Sequence, residues 1–495
     1  MEVVDWLVIS VYAGTVLLLG YFAAGRSNSE TEYFLAGRRE GWAPVAASTW
    51  ATKLSALTFI GVPGAAISGN FAYMQLWFGS FLAAYVIGAF LLPEFYRLRV
   101  STVYEYLEHR IGLGSRLAGT LVFIISRCLA SAVRLAGCAI AVSVFFDLSL
   151  VTSIVAMASI AAAYVMTGGL RAVIWTDVLQ LFLFLAGAVA AIVFVGLTLS
   201  GGFGEAVEAA ALAGKFQVFD FSFNVDDPTT FWTGNLFAFV LGIATGGADQ
   251  DIAQRALACP DARTARVAVI TAGAADLIST FLFLSAGAAV FAYYTAFPHE
   301  AVTTLMAENR HDYVFPHFIR HELPAGLRGL LVAALFAAAM SSLDSALSGL
   351  ASSAYFDLGL GRVNGGEENP ITPVRNTADR MRALIGPRAL VVFFAAVLAV
   401  IAIWFGAQPS ILWFGFKVMG YTYGGLLGLF LLALLVPKRA KDFASVVAVF
   451  SSIPVVFMVT QWGIGFGIAP VPWPWAVIVG TAWTFLSALA LARFR

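Results

Sequence analysis

The amino-acid sequence predicts an all-α polytopic membrane protein with about thirteen transmembrane helices. Three observations carry that expectation. Of the 495 residues, 60% are hydrophobic and 12% charged, and the mean hydropathy is +0.85, whereas a soluble domain carries about 25% charged residues. The apolar runs approach or exceed the roughly 20 residues that cross a hydrocarbon core as a helix, and they are too long for the strands of a barrel, the only other structure lipid admits. Lys and Arg gather in alternate connections, as membrane orientation requires.

The spans fall at 4–24, 43–66, 71–96, 117–144, 148–166, 172–197, 231–247, 267–294, 326–356, 386–406, 409–436, 442–463 and 473–492. With the N-terminus outside, twenty-one of the 29 Lys and Arg residues fall in inside segments, Arg255 among them. Outside segments hold only Lys215, Arg310, Arg320 and Arg328. One miscounted early span would invert this bias, so it supports both the count and an N-out, C-in topology. The opening "MEVVDW" lacks a basic region, so the first span is expected to remain as a helix and not to leave as a signal peptide. Residues 198–230 form an acidic outside connection, and the polar inside connection 361–383 is expected to be mobile. No soluble domain is expected after the last span. The excess of Arg over Lys and the abundance of Ala point to a bacterial cytoplasmic membrane.

Zero net charge gives no electrostatic basis for nucleic-acid binding. Cys128, Cys138 and Cys259 form no paired framework and read as small packing residues. No nucleotide-binding loop, serine elbow or paired catalytic acids occur, so an enzyme is not expected. His317 and His321 in "HFIRH" stand at i, i+4 without the Glu of a metalloprotease helix, and read as a surface pair. No obligate protein partner is expected.

Two spans carry helix-breaking signals at corresponding places. "PVAASTWATKLSALTFIGVPG" (44–64) sets Ser48, Thr49, Thr52, Lys53 and Ser55 at mid-membrane, followed by Gly61, Pro63 and Gly64. "GIATGGADQDIAQR" (242–255) contains Gly242, Gly246 and Gly247. Glycine costs a helix about 1 kcal/mol relative to alanine, so both stretches are expected to unwind. Such paired interruptions in two halves mark the binding site of a secondary transporter. The two spans are five apart, which predicts a five-plus-five inverted repeat over 43–197 and 231–436. The span 4–24 and the two C-terminal spans within 442–492 would then be peripheral parts of a single transporter domain, 1–495.

"AAAMSSLDSALSG" (337–349) places Ser341, Ser345 and Ser348 at i, i+4, i+7, with Asp344 beside them. One helix face therefore bears a carboxylate and several hydroxyls, a donor set for a hard cation. A carboxylate at a helix centre costs roughly 2.5–3.5 kcal/mol on insertion scales, so a positive charge is expected to compensate it. Asp177, in "MTGGLRAVIWTDVLQ" (166–180), is a second intramembrane acid. A structural alternative would pair it with Arg171.

Together with "EYFLAGR" (32–38), "SALTFIGVPG" (55–64), "STVYEYLEHRIG" (101–112), "YVMTGGLRAVIWTDVLQ" (164–180), "DQDIAQR" (249–255), "LPAGLRGLLVAALFAAAMSSLDSALS" (323–348) and "YTYGGLLGLFLL" (421–432), these stretches resemble the sodium:solute symporter family over roughly residues 4–440. The resemblance implies a leucine-transporter-like inverted repeat and Na⁺-coupled uptake of a small solute by alternating access. It implies a sodium site of carbonyls and hydroxyls at Ala51, Leu54, Ala338, Ser341 and Ser342. It also implies a second sodium or proton site at Asp177, Ser341, Asp344 and Ser345, although the family's sialic acid carriers have Ser where this chain has Asp344. The solute position it implies involves Lys53, Thr58, Phe71, Gln75, Trp77, Thr245, Gln250, Trp413 and Lys417. Arg134, Lys53 and Lys417 favour an organic anion such as a carboxylate, and "ATGGAD" (244–249) lacks the aromatic gate of the sugar carriers. Two alternatives stand beside this reading. One is a proton-coupled or exchange carrier in which Lys53 acts as a built-in cation. The other is Na⁺/sugar cotransport. Na⁺ is the only metal ion expected.

Overall fold

A computed structural model describes residues 1–24, 35–165, 170–359, 387–406, 408, 410–463 and 469–493. The connection 361–383, expected to be polar and mobile, and the first three residues of "EYFLAGR" lie outside the described residues, as do 166–169. Every regular element among the described residues is helical.

The first span is α1 (Val3–Ala24). The second is two helices, α2 (Trp42–Lys53) and α3 (Ala56–Ser68), meeting at 58°. Then follow α4 (Phe71–Leu98), the short α5 (Val103–Arg110), α6 (Leu113–Phe146), α7 (Leu150–Val165) and α8 (Leu170–Thr198). Helix α9 (Gly202–Leu212) lies in the acidic connection. The seventh span is again two helices, α10 (Phe231–Gly247) and α11 (Gln250–Leu257), meeting at 60°. The long α12 (Ala262–Ala296) leads to the connection helices α13 (Glu300–Ala307) and α14 (Val314–His321). Five spans remain: α15 (Leu327–Phe356), α16 (Pro387–Phe405), α17 (Ile411–Leu435), α18 (Asp442–Trp462) and α19 (Ala476–Leu491). All thirteen expected segments are helical. Among the described residues nine are long and apolar enough to cross a membrane, the bent pairs bring the number to eleven, and α1 and α7 carry shorter apolar stretches.

Burial sorts the spans. In α15 the most apolar stretch is 89% buried, against 33% for α18 and 39% for the last span. Helix α15 packs on α1, α2, α6 and α8, and α18 and α19 pack at the edge against α17. Large apolar side chains such as Leu197, Trp404, Trp462 and Leu486 face outward, as the lipid-facing surface of a span requires. Asp5 fastens α1 to the core by accepting from the backbone N–H groups of Gly326 and Gly329, each at 2.9 Å. Asp442 at the head of α18 accepts from Gly114 N (2.8 Å) and Ser115 N (2.6 Å), capping α6 from a distant part of the chain. The three cysteines are free and buried, as packing residues are.

Both breaks occur where capping side chains compete for the backbone, and neither occurs at the expected glycines. At the first, Leu54 and Ser55 are extended. Ser55 Oγ accepts from Leu57 N (3.2 Å) and Thr58 Oγ1 accepts from Ser55 N (3.3 Å), a capping box that starts α3. At the second, Asp249 is extended and its side chain accepts from Asp251 N at 2.9 Å, starting α11. Gly242, Gly246 and Gly247 are helical, and a Cβ there would stand 2.8, 2.7 and 2.5 Å from Ala83, Ile87 and Leu91 of α4. They serve close packing of α10 on α4. Gly61 and Gly64 likewise lie inside α3, where added Cβ atoms would press on Leu412 and the His311 carbonyl.

The connection between α12 and α15 therefore packs down on α3. Within it Asp312 is 5% exposed and accepts from Ile411 N at 2.7 Å, the first residue of α17. Burial pushes its carboxyl up from 3.8 to about 6, partly offset by that hydrogen bond. An acid whose folded value is raised favours the folded state most below its unfolded value, and the benefit is lost as pH climbs through the folded value. Thermal stability in detergent is therefore expected to carry a component that falls between about pH 4 and pH 6, and Asp312→Asn should remove that component; an unchanged profile would contradict the burial argument.

Candidate functional site

The first break frees two carbonyls. In an unbroken helix Ser55 N–H would bond to the Ala51 carbonyl, but it goes to Thr58 Oγ1. The Leu54 carbonyl accepts from Ser342 Oγ on α15 at 3.4 Å. Ala51, Leu54, Ala338 and Ser341 line one small cavity of about 10 Å³ between α2, α8 and α15, close to the least volume that admits a water-sized guest. The fold thus brings together all five residues of the expected sodium site. Gln180, one turn past Asp177, lines the same cavity, and its Oε1 is buried without a hydrogen-bond partner. Its polarity inside the apolar run of α8 was the available signal for it.

The neighbouring acid and hydroxyl cluster contains its own cation. Arg255 of α11 is 1% exposed and reaches between α2, α8 and α15. Its Nη2 donates to Asp177 Oδ2 at 3.0 Å and also to Ser345 Oγ, its Nη1 to Asp251 Oδ1 at 3.0 Å, and its Nε to Ser48 Oγ at 2.9 Å. Ser48 and Ser341 donate to the two oxygens of Asp177. Ser345 Oγ lies 3.2 Å from Asp344 Oδ1 and 3.4 Å from Thr52 Oγ1. Asp344 Oδ2 is buried without a partner. Arg255, counted from the sequence as an inside-connection cation, is thus a membrane-depth ion-pair residue. Arg171 pairs with Glu40 at 3.1 Å and leaves Asp177 to the interior. The pairing continues: Asp251 also accepts from Arg127, whose Nη1 lies 3.3 Å from Asp249 Oδ2, and Tyr423 OH donates to that oxygen at 2.6 Å.

A larger cavity of about 140 Å³ lies between α2, α3, α4, α6, α10 and α17. Lys53, Thr58, Trp77 and Thr245 line it as expected. The other expected solute residues are elsewhere. Phe71 packs edge-on against Phe216 and Phe281. Gln75 is buried and donates to the Thr229 carbonyl. Gln250 accepts from Val103 N at 2.9 Å, joining α11 to α5. Trp413 packs on Tyr73, Phe416 and Trp473 behind the wall, and Lys417 faces outward. These residues were chosen for type and span, which do not determine the face on which each sits. Arg134, which the sequence links to an organic anion, lines the cavity too, whereas Thr49, Tyr73, Arg127 and Phe416 are not among the expected solute residues.

Lys53 does not enter the sodium cavity. It pairs with buried Asp276 of α12 at 2.8 Å, a geometry that does not favour the alternative in which it acts as a built-in cation. Arg127 is held by Asp249 and Asp251. Arg134 has no ion-pair partner among the described residues, and its Nη1 is buried without a hydrogen bond. Thr49 Oγ1, Trp77 Nε1 and Arg127 Nε are unpartnered in the same wall.

Removing one member of a buried ion pair leaves an uncompensated charge and costs about 3–5 kcal/mol. Arg255→Leu should therefore lower the unfolding midpoint more than Lys53→Met, because it strips the partner from two buried acids, Asp177 and Asp251, and Lys53→Met from one, Asp276; equal effects in denaturant titrations would refute the central place of Arg255.

Residues 33–445 match the profile of the Sodium:solute symporter family. The chain is 30% identical to the sodium/sialic acid symporter SiaT of Proteus mirabilis over 473 residues, covering 92% of this chain and 88% of that protein. It is 28% identical to the sodium/sialic acid symporter NanT of Aliivibrio fischeri, covering 92% and 87%. Among solved structures, the substrate-bound outward-open state of a Na⁺-coupled sialic acid symporter superimposes with a TM-score of 0.84 at 26% identity, over 100% of this chain and 98% of that one. The chain belongs to the sodium:solute symporter family, has its leucine-transporter-like fold, and is a multi-pass transporter whose coupling ion is Na⁺.

Proposed function

We propose that the chain takes up a small organic anion bearing a carboxylate, bound in the larger cavity and coupled to Na⁺. The observation that carries this reading is that four residues lining that cavity hold unpartnered buried donors: Arg134 Nη1, Arg127 Nε, Trp77 Nε1 and Thr49 Oγ1. Leaving a buried polar group unsatisfied costs about 1–3 kcal/mol, and an anion would accept from several of these at once. Of the three cations in the wall, Lys53 and Arg127 are neutralised by acids and Arg134 is not. Arg134 is therefore assigned to the solute carboxylate, where a guanidinium offers two parallel donors. Sialic acids, the solutes named for two relatives, are such acids and head the panel to be tested.

Sodium is assigned to Ala51, Leu54, Ala338, Ser341 and Ser342, with Gln180 Oε1 added. Arg255 takes Asp177 and Ser345 of the second set, so one Na⁺ per cycle is the favoured stoichiometry. The proton-coupled alternative relied on Lys53 near the sodium site, and its pairing with Asp276 weakens it. The repeats 43–197 and 231–436 would rock against each other, with the N-terminus outside and the C-terminus inside a bacterial cytoplasmic membrane. The excess of inside cations supports that orientation.

In proteoliposomes, Ser342→Ala should raise the Na⁺ concentration for half-maximal uptake roughly tenfold or more, since a contact to a charged group contributes about 1.5–3 kcal/mol; unchanged sodium dependence would remove the assignment. Arg134→Gln should abolish uptake of the acid that wild type transports while leaving the Na⁺-induced rise in melting temperature intact. Retained uptake with normal KM would exclude Arg134 as the carboxylate partner.

A further inference from the structure

We propose that the outer face of the transporter carries a site for a transition-metal cation of the zinc class, built from His299, His317 and Glu322. Read as a sequence, His317 and His321 are one turn apart on a surface helix. The fold adds the residues that such a pair lacks. His299, at the start of α13, and Glu322, just past α14, bring ligand atoms to within 4.8 Å of one another and of His317. His317 Nε2 is buried without a hydrogen-bond partner, an orphan that a metal would satisfy.

The donor set is specific in kind. Two imidazoles and one carboxylate suit Zn²⁺ and its neighbours, whereas Mg²⁺ and Ca²⁺ require oxygen ligands. Three protein ligands leave a fourth tetrahedral position for water. Bonds of about 2.0–2.2 Å put tetrahedral ligand atoms roughly 3.4 Å apart, so the group must contract by about an ångström. His299 can supply that movement because it is exposed. Turning it would cost only the 3.3 Å hydrogen bond that Ala301 N–H donates to Nδ1.

The site also has an outer layer of support. Tyr293 OH donates to Glu322 Oε2 at 2.8 Å, and Tyr294 OH lies 3.5 Å from Oε1, which orients the carboxylate as second-shell donors do in metal centres. The nearby cation Arg320 is engaged by Asp147 at 2.7 Å. His321 lies beside the group, its ring 4.4 Å from that of His317. A bound ion would tie α13 and α14 to the outer end of α12, which bears Tyr293. The same connection carries Asp312 onto α17.

The test uses the untagged full-length protein in detergent, titrated with Zn²⁺ alone in a chelator-free, non-coordinating buffer. One equivalent is expected to bind saturably, and Co²⁺ in its place should give the visible absorption of a tetrahedral site. His299→Ala, at an exposed position that tolerates truncation, and Glu322→Gln should each weaken Zn²⁺ at least tenfold. Uptake without metal should be unchanged in both. Absence of saturable Zn²⁺ binding, His299→Ala binding as tightly as wild type, or Mg²⁺ competing on equal terms would each overturn the proposal.

Discussion

A carboxylate held at membrane depth needs a positive charge or a proton beside it, and Arg255 is that charge in this transporter. Its guanidinium joins α11 to α2, α8 and α15 through Ser48, Asp177, Asp251 and Ser345. Each of these elements borders a break, a cavity or both. The pairing runs on through Arg127 and Asp249 to Tyr423 on α17. One buried chain of charges therefore ties both broken spans to the helices that flank them. Such networks stabilise only when every member is satisfied, and the loose ends here include Asp344 Oδ2 and Arg127 Nε.

The breaks themselves follow from competition for backbone hydrogen bonds. Ser55, Thr58 and Asp249 cap new helices within the membrane, and the carbonyls freed on the preceding turn become available to a cation. Irregular backbone at this depth is tolerated where it lines a cavity, and the first break does so at Leu54 and Ser55. The glycines nearby have a different task. They let α10 lie against α4 and let the connection between α12 and α15 settle on α3, which brings Asp312 to the head of α17.

Charge in the larger cavity is settled by what stands behind its wall. Lys53, Arg127 and Arg134 all line it. Asp276 answers the first, and Asp249 and Asp251 answer the second. The third has no acid paired with it among the described residues, and other residues of the same wall hold orphaned donors. A neutral solute would gain little from that arrangement. An acid would gain both charge compensation and hydrogen bonds.

The sequence by itself determined the class, the helical segments and the two interrupted spans, and it nominated the residues that gather at the small cavity. Those features are local: hydropathy runs along the chain, and Ser341, Asp344 and Ser345 share a face because helical periodicity puts them there. Only the tertiary structure decided the partners. Arg255 stands 78 positions from Asp177, and Lys53 stands 223 from Asp276. In sequence the first looked like a loop cation and the second residue, Asp276, drew no notice. The same limit explains the solute wall. Residue type could nominate Phe71, Gln75, Gln250, Trp413 and Lys417, but the face each presents depends on helix rotation and on what packs beside it, and no local pattern encodes either.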